Sequence, residues 1–282
     1  MTTQLTLIHA LTPLHAGTGQ AVGAIDLPIA RERPTGIPLL PGSSLKGALR
    51  ARAQSSASKT LTFGPDTPNA SDHAGAVQFS DAHLLLLPVR SLWGTFAWVT
   101  SPYLLQRLAR DLREANITFK VPPSPNSVEH CLVPPGSSLR GTPQGRVILE
   151  DLDFVADEPT ELANLADQLD AWLHAGEPPQ ARQHLCVVHD DVMSMLMDSA
   201  TEVCARIALD DATKTVKRGA LWYEESLPTE SVLFGLVSAT HARADELLQY
   251  IDRDLCARNL QLGGKATVGR GVCRMRLHGG DQ

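Results

Sequence analysis

Between Ser101 and Asn116 the leucines Leu104, Leu105, Leu108 and Leu112 recur in steps of three and four, which sets them on one face of a helix. The same spacing runs through Leu162, Leu165, Leu169, Trp172 and Leu173, and a further helical segment is expected over 190–199. Gln4 to Leu11 reads as a first strand, and Val77 to Val89 as a strand or hairpin entering the core. Val203 to Leu209 and Gly219 to Glu224 flank Asp210-Asp211-Ala212-Thr213-Lys214, the pattern of a hairpin projecting from a sheet. A strand over Ser231 to Thr240, a helix over Ala244 to Asn259, a glycine-rich loop and a strand over Val272 to Leu277 close the chain. Strands and helices mix without regular βαβ alternation, so the expected class is α+β with large insertions.

Breakers divide these elements. Thr12 to Gly19 cannot continue the first strand, and Pro28, Pro34 and Pro38 make 23–40 a long irregular loop or short edge pairings. Ser43 or Ser44 is expected to cap a helix through Leu45 and Leu49 toward Ala53. Residues 55–75 read as a mobile loop, 117–146 as a proline-rich connection, and 150–200 as a mostly helical, acidic insertion. Pro41-Gly42-Ser43-Ser44-Leu45-Lys46-Gly47 recurs almost verbatim from Pro135 to Gly141, but the second copy meets Thr142, Pro143 and Gly145 and reads as a loop or a coincidence.

With 282 residues, 43% hydrophobic and 20% charged, the chain has the composition of a globular protein rather than a disordered one. Its longest apolar runs, such as Leu84 to Val89, are far shorter than the roughly 20 residues of a membrane span, and the N-terminus lacks a secretory pattern. A cytoplasmic protein without membrane partners is expected. Five scattered cysteines with no C-x-x-C spacing read as reduced, mostly buried thiols. The net charge of −6 by itself argues mildly against a nucleic-acid binder. Distribution changes that picture: 147–181 contain no Lys or Arg, so basic character gathers in Arg31 to Arg52 and Arg258 to Arg276.

Gly42 to Gly47 ahead of a helix combines N–H groups, hydroxyls and the Lys46 ammonium at a positive helix end, as a phosphate requires, without Walker spacing. An ordinary capped helix explains the same residues about as well. Gly263, Gly264, Lys265, Gly269 and Arg270 lie in a loop that can cradle an RNA backbone or simply turn the chain. Its order of helix, loop, strand excludes a Rossmann reading. His15, Asp26 and the Glu224-Glu225 pair are candidate acid-base groups, though each alone reads more readily as a turn or core residue. His189-Asp190-Asp191 suits a helix cap better than a metal site.

Taken in order, several segments resemble the RAMP superfamily of CRISPR proteins, and within it the backbone-subunit family (the fourth subunit) of type III-B Cmr complexes. They are Thr12 to Gly19, Ile25-Asp26-Leu27-Pro28-Ile29 with Arg31-Glu32-Arg33, and Ile37 to Arg50. Pro88 to Pro102, Leu221-Trp222-Tyr223-Glu224-Glu225 with Leu227-Pro228, and the closing glycine-rich loop complete the set. The resemblance implies a single domain over 1–282, with a ferredoxin-like (RRM-like) palm and a thumb hairpin. It implies copies that stack along a CRISPR guide RNA and cut the paired target RNA at regular intervals, beside other Cmr subunits. The hairpin at 210–214 and the segment 121–146 are both thumb candidates. The family's cutting residue matches Asp26, with His15 and Glu224 in support and a divalent ion, Mg or Mn, at Asp26. The RNA-binding set it implies is Ser43, Ser44, Lys46, Arg50, Gly263, Gly264, Lys265, Gly269 and Arg270. The alternatives are a non-catalytic guide-RNA scaffold and an enzyme that processes the CRISPR transcript.

Overall fold

The computed structural model describes residues 1–20, 23–65, 73–141, 145–173 and 180–279. In chain order the elements begin with β1 (Thr2–Ala10), β2 (Leu39–Leu40), α1 (Gly42–Arg52), α2 (Ala57–Phe63), β3 (Val77–Phe79), β4 (Ala82–Arg90), β5 (Phe96–Thr100) and α3 (Pro102–Glu114). Next come β6 (His130–Leu132), β7 (Arg146–Leu149), β8 (Leu152–Asp157), α4 (Glu161–Leu173), α5 (Ala181–His184), β9 (Leu185–Val188) and α6 (Asp190–Ser199). The chain ends with β10 (Glu202–Leu209), β11 (Val216–Ser226), β12 (Val232–Ala239), α7 (Ala244–Gln249), β13 (Leu260–Gln261) and β14 (Val272–His278).

One large sheet runs in the order β13-β14-β1-β12-β4-β5-β9-β6-β8-β7, with β2 on β4 and β3 on β12. Its centre, β14-β1-β12-β4, is antiparallel throughout. Helix α1 lies in the connection from β1 to β4, and α7 in the connection from β12 to β14. Alternation along β1 explains why this strand is buried on both faces. Leu5 and Leu7 pack into one core with Leu105, Leu108 and Leu112 of α3 and Leu162, Leu165 and Leu169 of α4. Ile8 and Ala10 point the other way, into a core shared with Leu45 and Leu49 of α1 and Leu247 and Leu248 of α7. Trp98 is fully buried, and its indole N–H donates to the Glu230 carbonyl at 2.8 Å.

Ser101 caps α3, with Pro102 opening the helix, so the leucine spacing and its cap agree. Helix α1 differs from expectation: its N-cap is Pro41, and Ser43 and Ser44 sit inside the first turn. The reason is close packing at Gly42, whose N–H donates to Asp81 Oδ1 at 2.7 Å and where a Cβ would collide with the Phe79 and Ser80 carbonyls. The second copy of that motif forms turns, not a helix.

The expected mobile loop begins instead with α2, capped by Ser56, and its remainder at 66–72 lies outside the described residues. The region 150–200 holds α4, α5 and α6 and, in addition, the strands β8 and β9, which extend the sheet through it. The final helix stops early as α7 and continues in π-helical turns over Tyr250–Leu255. There Arg276 Nη1 donates to the Cys256 carbonyl at 2.9 Å, and the chain turns into β13.

Strands β10 and β11 form a separate two-stranded hairpin. Val203, Ile207 and Leu209 on β10, with Val216, Leu221 and Tyr223 on β11, leave it with exposed apolar residues. Among the described residues no helix is long and apolar enough to cross a membrane.

Candidate active site

The site forms where the loop after β1 meets the base of that hairpin. Leu27 N–H donates to the Tyr223 carbonyl, Glu225 N–H donates to the Leu27 carbonyl, each at 3.0 Å, and Gly17 bridges Ile29. This short pairing fixes Asp26, whose Oδ2 accepts from the Tyr223 backbone N–H at 2.8 Å. Among the described residues Asp26 Oδ1 takes no hydrogen bond. Asp26 lines a cavity of about 450 Å³ with Gln20, Leu27, Gly219, Leu221, Trp222 and Lys265.

Glu224 sits beside that cavity with its side chain only 4% exposed. Its Oε1 accepts from Lys265 Nζ and from Trp222 Nε1, both at 2.7 Å, and its Oε2 lies 3.4 Å from Arg206 Nε. Burial works against the charged form. The hydrogen bonds from Lys265 and Trp222 and the charges of Lys265 and Arg206 outweigh it and hold the pKa at about 2. A carboxylate this acidic is a poor proton acceptor near neutral pH, so Glu224 holds Lys265 and Trp222 in place.

His15 is buried, with Nδ1 2.6 Å from the Glu225 carbonyl. Its own carbonyl accepts from Gly264 N–H at 2.8 Å, which docks the glycine-rich loop on the loop after β1. Gly263, at φ +69°, permits this approach, because a Cβ there would strike the His15 carbonyl oxygen. The structure therefore brings His15, Asp26, Glu224, Gly263, Gly264 and Lys265 to one junction.

Other candidates lie elsewhere or face inward. Ser43 and Ser44 are exposed on the first turn of α1, and Lys46 is half-buried on the same helix. Arg50 donates to the Phe63 and Pro65 carbonyls at 3.1 and 2.6 Å and so ties α1 to the end of α2. Arg270 is 8% exposed and donates to Ser226 Oγ at 2.9 Å, a brace within the hairpin base rather than an outward cation. Gly269 forms an open left-handed turn with nothing near its Cβ direction. His189 caps α6, its Nδ1 accepting from Asp191 N–H at 3.3 Å. The roles of Trp222 and Arg206 were not read from the sequence, although strand alternation sets Trp222 and Glu224 on one face.

Among the described residues no three His, Cys, Asp or Glu side chains gather to hold a metal ion. Asp26 offers one carboxylate, while both oxygens of Glu224 face donors. That fits a hard cation held mainly by water and phosphate, with one protein ligand, and not a protein cage.

The model of the RAMP superfamily matches residues 7–274, and the chain belongs to that superfamily. Over 96% of its length it is 32% identical to the CRISPR system Cmr endoribonuclease Cmr4 of Pyrococcus furiosus, covering 94% of that protein. The solved structure of oligomeric Cmr4 from the same organism superposes with a TM-score of 0.77 at 26% identity, over 100% of both chains. A chain of the type III-B Cmr-beta complex bound to cognate target RNA shares the fold, with a TM-score of 0.77 at 23% identity over 98% of this chain and 97% of that one.

Proposed function

We propose that this chain is a backbone subunit of a CRISPR RNA-guided effector complex, which lies along guide RNA as a filament and cuts the paired target RNA. The observation that carries this reading is Asp26, fixed by the Tyr223 backbone at the wall of an open cavity, with one carboxylate oxygen left for substrate. Its partners are guide RNA, target RNA, further copies of itself and other Cmr subunits. The order β14-β1-β12-β4 with α1 and α7 in its connections reads as a ferredoxin-like, RRM-like palm, and the β10-β11 hairpin reads as the thumb.

In the cutting step a target 2'-OH attacks the adjacent phosphorus. Asp26 takes the 2'-OH proton as the O2'–P bond forms and the P–O5' bond breaks. In the alternative role for the same free oxygen, Asp26 would hold a divalent ion, Mg or Mn, with phosphate oxygens and water, and the ion would stabilise charge on the phosphate. Ser43, Ser44 and Lys46 at the start of α1 suit guide phosphates, as do the backbone N–H groups of the glycine-rich loop. Guide contact thus needs a local basic strip, which the acidic total does not forbid.

Sequencing the RNA that co-purifies with the tagged protein at moderate salt tests this assignment. Short RNAs with a shared repeat-derived 5' tag and variable spacers are expected. Protein free of RNA, or bound to RNA without that tag, contradicts it.

A further inference from the structure

Among the described residues lining the cavity beside Asp26, Lys265 is the only cation and Asp26 the only anion. Lys265 is held there in two ways. Its backbone adopts the left-handed conformation, φ +65° and ψ +30°, an uncommon state for a non-glycine residue that clusters at functional sites. Its ammonium lies 2.7 Å from Glu224 Oε1, and Trp222 Nε1 donates to the same oxygen. An ammonium has three N–H donors, so the contact with Glu224 leaves two for another acceptor. The side chain remains 31% exposed, and Gly264 N–H pins the preceding residue to the His15 carbonyl. A lysine serving only as a loose guide-backbone contact needs neither the strained backbone nor a buried carboxylate behind it.

We propose that Lys265 is a catalytic residue of target cutting, its ammonium donating to a non-bridging oxygen of the scissile phosphate opposite Asp26. This rests on the reading of Asp26 given above. As the O2'–P bond forms, negative charge grows on the non-bridging oxygens, and a positioned cation in a walled site stabilises it. The 2'-OH proton goes to Asp26, the P–O5' bond breaks, and O5' takes a proton from solvent water. The products are a 2',3'-cyclic phosphate and a 5'-OH, with no oxidant or further reactant required. Glu224 is then the positioning residue that aims Lys265.

The test is single-turnover cutting by the assembled, guide-loaded complex, with rates expressed per guide-loaded complex. Wild type is compared with Lys265→Met, Lys265→Arg, Lys265→Gly and Asp26→Asn on targets carrying oxygen or sulfur at a non-bridging position of the scissile phosphate. Lys265→Met is expected to slow cutting by roughly 100-fold. Lys265→Arg should recover part of the rate, and target affinity should stay within about threefold of wild type. Sulfur substitution should slow wild type more than Lys265→Met, a dependence that a purely structural role would not produce. Lys265→Gly relieves the left-handed strain but, like Lys265→Met, takes the ammonium from Glu224, so thermal denaturation of each variant is measured alongside, and slow cutting by a variant that melts near wild type is not a folding defect. Wild-type rates per loaded complex in Lys265→Met and Lys265→Gly overturn the proposal, as does a loss confined to guide occupancy. Normal cutting by Asp26→Asn overturns the Asp26 reading instead, and a slow Lys265→Met beside it keeps the phosphate contact while discarding its partner.

Discussion

Arg31 Nη2 lies 2.7 Å from Glu225 Oε1, and this contact fastens the loop carrying Asp26 to the strand that holds it. Arg31 also donates to the Gly36 and Met197 carbonyls at 2.9 and 2.8 Å, and Glu225 accepts from Ile29 N–H at 3.1 Å and Thr201 Oγ1 at 3.0 Å. One buried ion pair thus joins the loop after β1, the end of α6 and the base of the hairpin. Removing only the cation strands a carboxylate that is 4% exposed. Arg31→Met should destabilise the protein by about 3–5 kcal/mol in chemical denaturation. A loss of less than about 1 kcal/mol would show that the junction is held by other means.

A second ion pair makes stability depend on acid. Arg107 donates to both oxygens of Glu32 at 2.7 and 2.8 Å, and Thr35 Oγ1 adds a third hydrogen bond at 2.6 Å. The Arg107 hydrogen bonds are the largest influence, burial opposes them, and the Glu32 pKa falls from 4.5 to about 2. A lowered folded-state pKa stabilises the protein fully above the unfolded value and loses that contribution as pH falls through the folded one. Between about pH 4.5 and about pH 2, Arg107→Met should therefore flatten the fall in stability. Glu224, also held at about 2, keeps part of the slope in both proteins. Identical slopes in wild type and variant would contradict the assignment.

Guide binding should register charge at the start of α1. Lys46→Ala is expected to weaken guide-RNA affinity and to lower the slope of log K against log salt by about 0.7, the effect of one phosphate contact on a single strand. Fluorescence anisotropy across a salt series measures both. An unchanged slope would mean that Lys46 makes no phosphate contact.

Thiol reactivity should follow burial. Cys131, Cys186, Cys256 and Cys273 are buried, and only Cys204 is partly open. Burial pushes the Cys256 and Cys273 thiols up to about 12, which leaves almost no reactive thiolate at neutral pH. A disulfide reagent should modify Cys204 in the folded protein and all five cysteines after denaturation. Rapid modification of Cys256 or Cys273 in the native state would contradict this packing.

Local signals carried much of the fold. The leucine spacing of α3 and the β10-β11 hairpin follow from neighbouring residues, so short windows of sequence reveal them. Long-range pairing leaves no such trace: β5 pairs with β9 in parallel, and β6 joins β9 from the other side, across stretches whose composition suggested loops and helices. Ser43 and Ser44 have the local pattern of caps, but Asp81, 39 residues away, takes the Gly42 N–H and starts the helix earlier. Asp26 stood out through family resemblance, while its anchor is a backbone N–H at Tyr223 that no residue pattern announces. Arg270 lies in a basic run, yet Ser226 and Glu202 draw it inward.

Asp26 is the carboxylate on which the proposed cutting depends. Asp26→Asn keeps the shape of the side chain and an oxygen to accept the Tyr223 N–H, but removes the charge and the capacity to take a proton. In a complex assembled on guide RNA, this substitution should reduce target cutting by at least about 100-fold. Guide occupancy and target affinity should remain near wild type. Unchanged cutting at the same positions in the target would contradict the claim that this carboxylate does the chemistry.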